Sequence, residues 1–131
     1  MSIQRPTKCN ICGGKVSYVP SSFIYGQGRS YGSGFAYWCR KCGAYVGTHK
    51  NNPRCAMGIL ADNEMRELRI RAHDLFDSKW SNSRERSAAY DRLARLLGIS
   101  YKHCHFSWFD KDRLREAIRI LEEEEWDDEV Q

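Results

Sequence analysis

Four of the six cysteines fall into two pairs of the same form, Cys9-x-x-Cys12 followed by Gly13-Gly14, and Cys39-x-x-Cys42 followed by Gly43. That spacing lets a tight turn aim two sulfurs at one ion, and the glycine supplies the positive φ that the chain needs as it leaves the turn. Four thiolates in a tetrahedral array suit zinc and leave no open coordination position for a substrate. The expectation is one structural Zn2+ held by Cys9, Cys12, Cys39 and Cys42. Disulfides are the competing use of cysteine, but Met1–Pro6 lacks the apolar run of a signal peptide, so a reducing, cytoplasmic setting is expected. Cys55 and Cys104 lie outside the pattern.

The 26 residues between the pairs exceed the usual ribbon spacing, and the excess has a visible source. Lys15–Val19 and Phe35–Trp38 read as strands, as does Ala44–Thr48 after the second pair. Pro20–Gly34, with four glycines and four serines, reads as a long hairpin loop. Residues 1–56 are therefore expected to form a zinc ribbon of short antiparallel strands with a Gly/Ser/Tyr-rich loop. Phe23, Tyr25, Arg29 and Tyr31 give that loop the mixture that stacks on unpaired bases and approaches phosphates. The competing expectation is that these aromatics fold back over the ribbon. Gly26-Gln27-Gly28 does not make a dinucleotide site, because no helix is expected to follow it.

From Asp62 the period changes to that of amphipathic helices. Met65, Leu68, Ala72, Leu75 and Phe76 lie three and four apart, Asn82-x-x-Glu85 signals a capped helix ending at Gly98, and Asp110 caps a third with Leu114, Ala117, Ile118 and Leu121 on one face. Residues 57–121 are thus expected to form a bundle of about three helices packed with the ribbon, an α+β fold. Arg66, Arg69, Arg71, Arg84, Arg86, Arg92 and Arg95 decorate the helices as a solvated or a phosphate-contacting surface. The connector His103-Cys104-His105-Phe106-Ser107-Trp108-Phe109-Asp110 fits no common metal spacing. His105 as a base oriented by Asp110 would need a nucleophile or metal that the sequence does not locate. Packing is the expected role.

Charge is distributed unevenly. Residues 1–121 carry all 21 basic groups against 10 acidic ones, a formal +11, whereas Glu122–Gln131 carries −7. A basic body favours polyanionic partners such as DNA or RNA. The acidic end is expected to fray from the last helix, with Trp126 as a local anchor. At 131 residues, 41% hydrophobic and 29% charged, the chain suits one ordinary domain or two small modules and excludes pervasive disorder. Its longest uncharged stretch, Val16–Gly28, is far short of the roughly 20 apolar residues of a membrane span.

The motifs Cys9-x-x-Cys12-Gly13-Gly14, Ile24-Tyr25-Gly26, Arg29-Ser30-Tyr31-Gly32 and Trp38-Cys39-x-x-Cys42-Gly43-Ala44-Tyr45-Val46-Gly47-x-His49 resemble those of a family of small zinc-finger-containing proteins found in bacteriophages and prophages. Gly58-x-Leu60-Ala61, Arg71-Ala72-His73-x-x-Phe76-Asp77 and Cys104-His105-Phe106-x-x-Phe109-Asp110 extend the likeness over roughly residues 7–121. The resemblance implies a zinc finger and a phage or mobile-element setting, and no established activity. Pro53–Gly58 is longer than that pattern, and the acidic tail lies outside it.

The expected function is a non-catalytic, zinc-stabilised adaptor that binds DNA or RNA. Tyr25, Arg29, Tyr31, Arg40, Lys41, Arg66, Arg69 and Arg84 are the expected contact residues, with neither a membrane nor a small-molecule substrate as a partner. A protein-binding modulator of a host or defence enzyme is the alternative, and a metal-dependent nuclease the third.

Overall fold

A computed structural model of the chain describes residues 5–26, 33–123 and 126. It has two compact units, Met1–Asn63 and Glu64–Gln131. The architecture is α+β: a four-stranded antiparallel sheet that carries the cysteines, followed by three longer helices.

The sheet runs in simple sequence order, β1 (Val16–Pro20), β2 (Phe35–Cys39), β3 (Tyr45–His49) and β4 (Asn52–Ala56). Alternation of side chains gives it two faces. Val16, Tyr18, Tyr37, Cys39 and Val46 share one, and with Ala44, Ala56 and Leu60 they build the small core of this unit. Ser17, Trp38 and Tyr45 share the other through the pairs Ser17↔Trp38 and Trp38↔Tyr45.

Two elements depart from the sequence reading. The Pro20–Gly34 stretch expected as a loop opens with a short helix, α1 (Ser21–Tyr25), and its neck is closed where the Ser21 N–H donates to the Gly34 carbonyl at 2.8 Å. Pro20, whose ring presets φ, sits at the N-cap of this turn. The second departure is β4, whose sequence Asn-Pro-Arg-Cys-Ala has no strand signature. Pro53 is tolerated because β4 is an edge strand, and the Tyr18 and Tyr37 hydroxyls donate to the Pro53 and Arg54 carbonyls at 2.6 and 2.7 Å. The excess length at Pro53–Gly58 thus holds most of an edge strand, whose last residue, Ala56, joins the core.

In the second unit the helices are α2 (Asn63–Asp77), α3 (Ser83–Leu97) and α4 (Lys111–Glu122), each within a residue or two of the expected bounds. Asn82 accepts from the Glu85 N–H at 2.9 Å, Asp110 accepts from the Arg113 N–H at 2.8 Å, and Gly98 closes α3 in the left-handed region at φ 75°. Phe76, Leu93, Leu114, Ala117 and Leu121 meet in one core. The aromatic connector, two single turns of 3₁₀ helix at Tyr101–His103 and Phe106–Trp108, fills it with Cys104, Phe106 and Phe109. Glu123 already lies outside α4, yet Trp126 is buried in the same core beneath the Arg92 guanidinium, 4.9 Å from its ring.

Candidate metal centre

The four paired cysteines converge. Their sulfurs all lie within 4.8 Å of one another, with Cys9–Cys42 at 3.7 Å and Cys12–Cys39 at 3.4 Å. Zinc–sulfur bonds of about 2.3 Å in a tetrahedron put neighbouring sulfurs about 3.8 Å apart, so the cluster has the dimensions of one Zn2+ site.

Each pair is a turn built around sulfur. Backbone N–H groups of Ile11 and Gly14 point at the Cys9 and Cys12 sulfurs, and those of Lys41 and Cys42 point at Cys39, all at 3.4 Å. Gly13 and Gly43 leave the turns at φ 76° and 82°, as their place in the sequence predicts. Gly14 has a different reason to be glycine. A Cβ there would stand 2.7 Å from the Lys41 Cβ, 3.1 Å from the Cys39 sulfur and 3.2 Å from that of Cys12. The second knuckle occupies the space a side chain would need.

The metal-free electrostatics point the same way. Burial pushes the Cys39 thiol up, but the N–H groups of Cys42 and Lys41 and the adjoining thiols more than offset it and bring the pKa to about 6. Cys42 is pushed up to about 12 by desolvation and by its hydrogen bonds with the neighbouring sulfurs. Four thiolates at such distances repel strongly unless a divalent cation lies among them. Zinc would be held by these four sulfurs and would supply cross-linking of the two knuckles, with no vacant position for Lewis-acid chemistry.

A residue that sequence reasoning missed secures the site. The Asn10 side chain donates to the Leu60 carbonyl at 3.0 Å and accepts from the Leu60 N–H at 2.9 Å, so one amide copies a strand pairing. Next to it Tyr45 and Ala61 exchange both backbone hydrogen bonds, at 2.9 and 3.1 Å. The returning chain is therefore tied to the first knuckle and to β3. Asn10 lies between Cys9 and Ile11, but its partner is 50 residues away, so no local signal marks it.

The remaining candidate ligands have other surroundings. Cys104 is buried among aromatics, which pushes its thiol up to about 11, and His103 Nδ1 is hydrogen-bonded to the Ser100 hydroxyl at 2.7 Å. His73 stacks edge-on against Phe106 at 4.7 Å, and its partial burial lowers its pKa. Among the described residues, the four-cysteine group alone brings three or more His, Cys, Asp or Glu ligand atoms together.

The expected nucleic-acid residues separate by unit. Arg40 and Lys41 are exposed on the second knuckle, and Tyr25 ends α1 with its ring edge-on to Tyr45 at 5.4 Å. Arg29 and Tyr31 lie outside the described residues. In the helical unit, Arg84 is exposed, Arg66 is half-buried, and Arg69 donates to the Ser107 carbonyl at 3.0 Å. Burial pulls the Arg69 pKa below the ordinary arginine value. Its neighbours are largely matched: Arg71 with Glu122, Arg95 with Asp91, Lys111 and Arg115 with Glu64, and Arg119 with Glu123.

Charge follows the same division. No Asp or Glu occurs before Asp62, so the ribbon unit has 8 basic groups and 1 acidic, while residues 64–131 have 13 basic and 16 acidic. The +11 of residues 1–121 is concentrated in the ribbon, where Arg5, Lys8, Lys15, Arg40, Lys41, Lys50 and Arg54 are all exposed. Four of these gather at the knuckles: Lys8 and Lys15 form a backbone bridge, the Arg40 N–H donates to the Lys15 carbonyl at 3.0 Å, and the Lys41 Cβ abuts Gly14. Zinc with four thiolates carries a formal charge of about −2. These cations outweigh it.

A family model described as a zinc-finger-containing domain matches residues 5–124. No curated protein and no solved structure matches the chain. Among the described residues, no helix is long and apolar enough to cross a membrane.

Proposed function

This chain belongs to the zinc-finger-containing family, and we propose that it serves as a zinc-stabilised adaptor that binds nucleic acid through its ribbon unit. The observation that carries this reading is the absence of any carboxylate from the first 61 residues, together with seven exposed cations on the same small unit. Such a surface attracts a polyphosphate, and the exposed Lys8, Lys15, Arg40 and Lys41, on or beside the two knuckles, support that reading. The closed four-sulfur site supports a structural metal and an adaptor without chemistry of its own, in the phage or mobile-element setting that the motif resemblance implies.

The test is a titration of the zinc-loaded chain with labelled DNA and RNA. If those four cations neutralise about four phosphates, affinity falls on the order of 100-fold between about 50 and 200 mM salt, and Arg40→Gln with Lys41→Gln lowers the slope by about two. No binding to either polymer at the lower salt would refute the reading.

One observation favours a protein partner instead. On α2, Ile70 is 62% exposed beside a shallow depression of about 440 Å³ lined by Glu67, Arg71, Asp74, Leu75 and Ser78. A modulator of a host or defence enzyme would use such a face, and Ile70→Glu would abolish its effect without lowering zinc content.

A further inference from the structure

The sheet face opposite the ribbon core carries a feature that phosphate binding does not use. Phe23, on the short helix α1, is 59% exposed, and its ring meets Trp38 edge-to-face at 4.9 Å and 71°. Tyr25, from the same helix, meets Tyr45 in the same way at 5.4 Å and 90°. The result is a row of four aromatics across β2 and β3. Edge-on packing leaves a broad face of Phe23 open to water, which gains little stability for the fold.

Cations border this row. Lys15 and Arg40 continue the β1–β2 ladder one residue beyond the Val16↔Cys39 pair, so strand alternation sets them on the face of Ser17 and Trp38. Arg40 is the first residue after β2, two positions beyond Trp38. An exposed Phe23 ring against a half-buried Trp38, exposed cations at the end of the same two strands, and no carboxylate before residue 62 match a ligand that presents flat bases on an anionic backbone.

We propose that Phe23 and Trp38 form a base-stacking site for single-stranded nucleic acid, with Lys15 and Arg40 on the adjoining phosphates. The inference rests on the nucleic-acid reading above and narrows its ligand. In a duplex the base faces are already stacked within the helix, whereas a single strand can lay a base into the notch between two rings that meet at 71°. Because every base has such a face, the site tolerates sequence.

The test compares fluorescein-labelled oligothymidine of about 12 nucleotides with a labelled duplex of the same length, both titrated with the zinc-loaded full chain. Phe23→Ala should weaken oligothymidine binding by about 5- to 100-fold and change duplex binding by less than about twofold. Phe23→Leu keeps apolar cover on Trp38 without an aromatic face and should show the same selective loss, and it decides the matter if Phe23→Ala loses zinc. Oligothymidine should also quench indole emission in the unaltered chain, and the quenching should disappear in Trp38→Phe. Equal effects of Phe23→Leu on both ligands, or none on either, would overturn the stacking site and leave nucleic-acid binding standing. No binding of either ligand at low salt would remove both readings.

Discussion

Gly14→Ala tests how the metal centre is assembled. The added Cβ would lie 2.7 Å from the Lys41 Cβ, against a normal carbon–carbon contact of about 3.5–4.0 Å, and about as close to two ligand sulfurs as a contact can be. The Lys41 Cβ is the root of its side chain, so no rotamer relieves the overlap. Either the second knuckle backs away from the first, lengthening the sulfur–sulfur edges, or the Gly14 backbone moves and disturbs the Cys9 N–H bond to its carbonyl at 2.8 Å. Overpacking of this kind costs about 1–3 kcal/mol, and a contact with the root of a side chain belongs in the upper part of that range. Alanine also stiffens the unfolded chain, which returns about 0.4–1 kcal/mol. The net expectation is a loss of about 1–2.5 kcal/mol, or about 5- to 60-fold in zinc affinity by the tenfold-per-1.4 kcal/mol rule.

The assay is competition for zinc against a chromophoric chelator. Gly13→Ala and Gly43→Ala serve as comparisons, because no atom lies within 4 Å of a Cβ at either position and only their φ values, 76° and 82°, penalise a side chain. Asparagine tolerates that region, so Gly13→Asn should be milder than Gly13→Ala, while Gly14→Asn should be worse than Gly14→Ala. Unchanged zinc affinity in Gly14→Ala, or asparagine rescuing position 14 as well as 13, would show that crowding between the knuckles is not what requires glycine there.

Other perturbations have equally definite outcomes. Asn10→Ala leaves the Leu60 N–H and carbonyl without their partner and should lower the thermal stability of the zinc-loaded ribbon by about 1–3 kcal/mol, read by calorimetry. Trp126→Ala, or truncation after Leu121, empties a core position that is 4% exposed and should cost about 3–5 kcal/mol by chemical denaturation. Removing the acidic end by truncation therefore also damages the helical unit, and substituting amides at Asp127, Asp128 and Glu129 is the cleaner way to ask whether the tail competes with phosphate. Tighter nucleic-acid binding at low salt would support that competition. Zinc uptake at about pH 7 should release the Cys42 proton, held at about 12 without metal, but little from Cys39, at about 6. Lowering the pH to about 5 protonates Cys39 in the metal-free state, so release rises by about one proton per zinc while affinity falls, a change that calorimetry in two buffers would detect.

What the sequence determined by itself is what depends on neighbours along the chain. A Cys-x-x-Cys-Gly turn is set by a few consecutive dihedrals, and helix periods and caps act within four residues, so the ligand set, the three long helices and two of their caps could be read before any contact was known. Features whose partners are distant could not. β4 pairs with β3 and is held by the Tyr18 and Tyr37 hydroxyls on its carbonyls, Asn10 matters because Leu60 returns to it, and Gly14 is small because Lys41 is there. Trp126 could be expected from the sequence as a local anchor, but that its indole enters the core of the helical unit beneath Arg92 depends on residues more than thirty positions away. The charge of each stretch is legible in the sequence, but the +11 of residues 1–121 joins a ribbon of +7 to a helical segment of +4, and that second unit is net negative only with the acidic end counted in it. Only the tertiary structure places the division at Asn63, because a compact unit is defined by which residues contact one another, and that is not a property of any one stretch of chain.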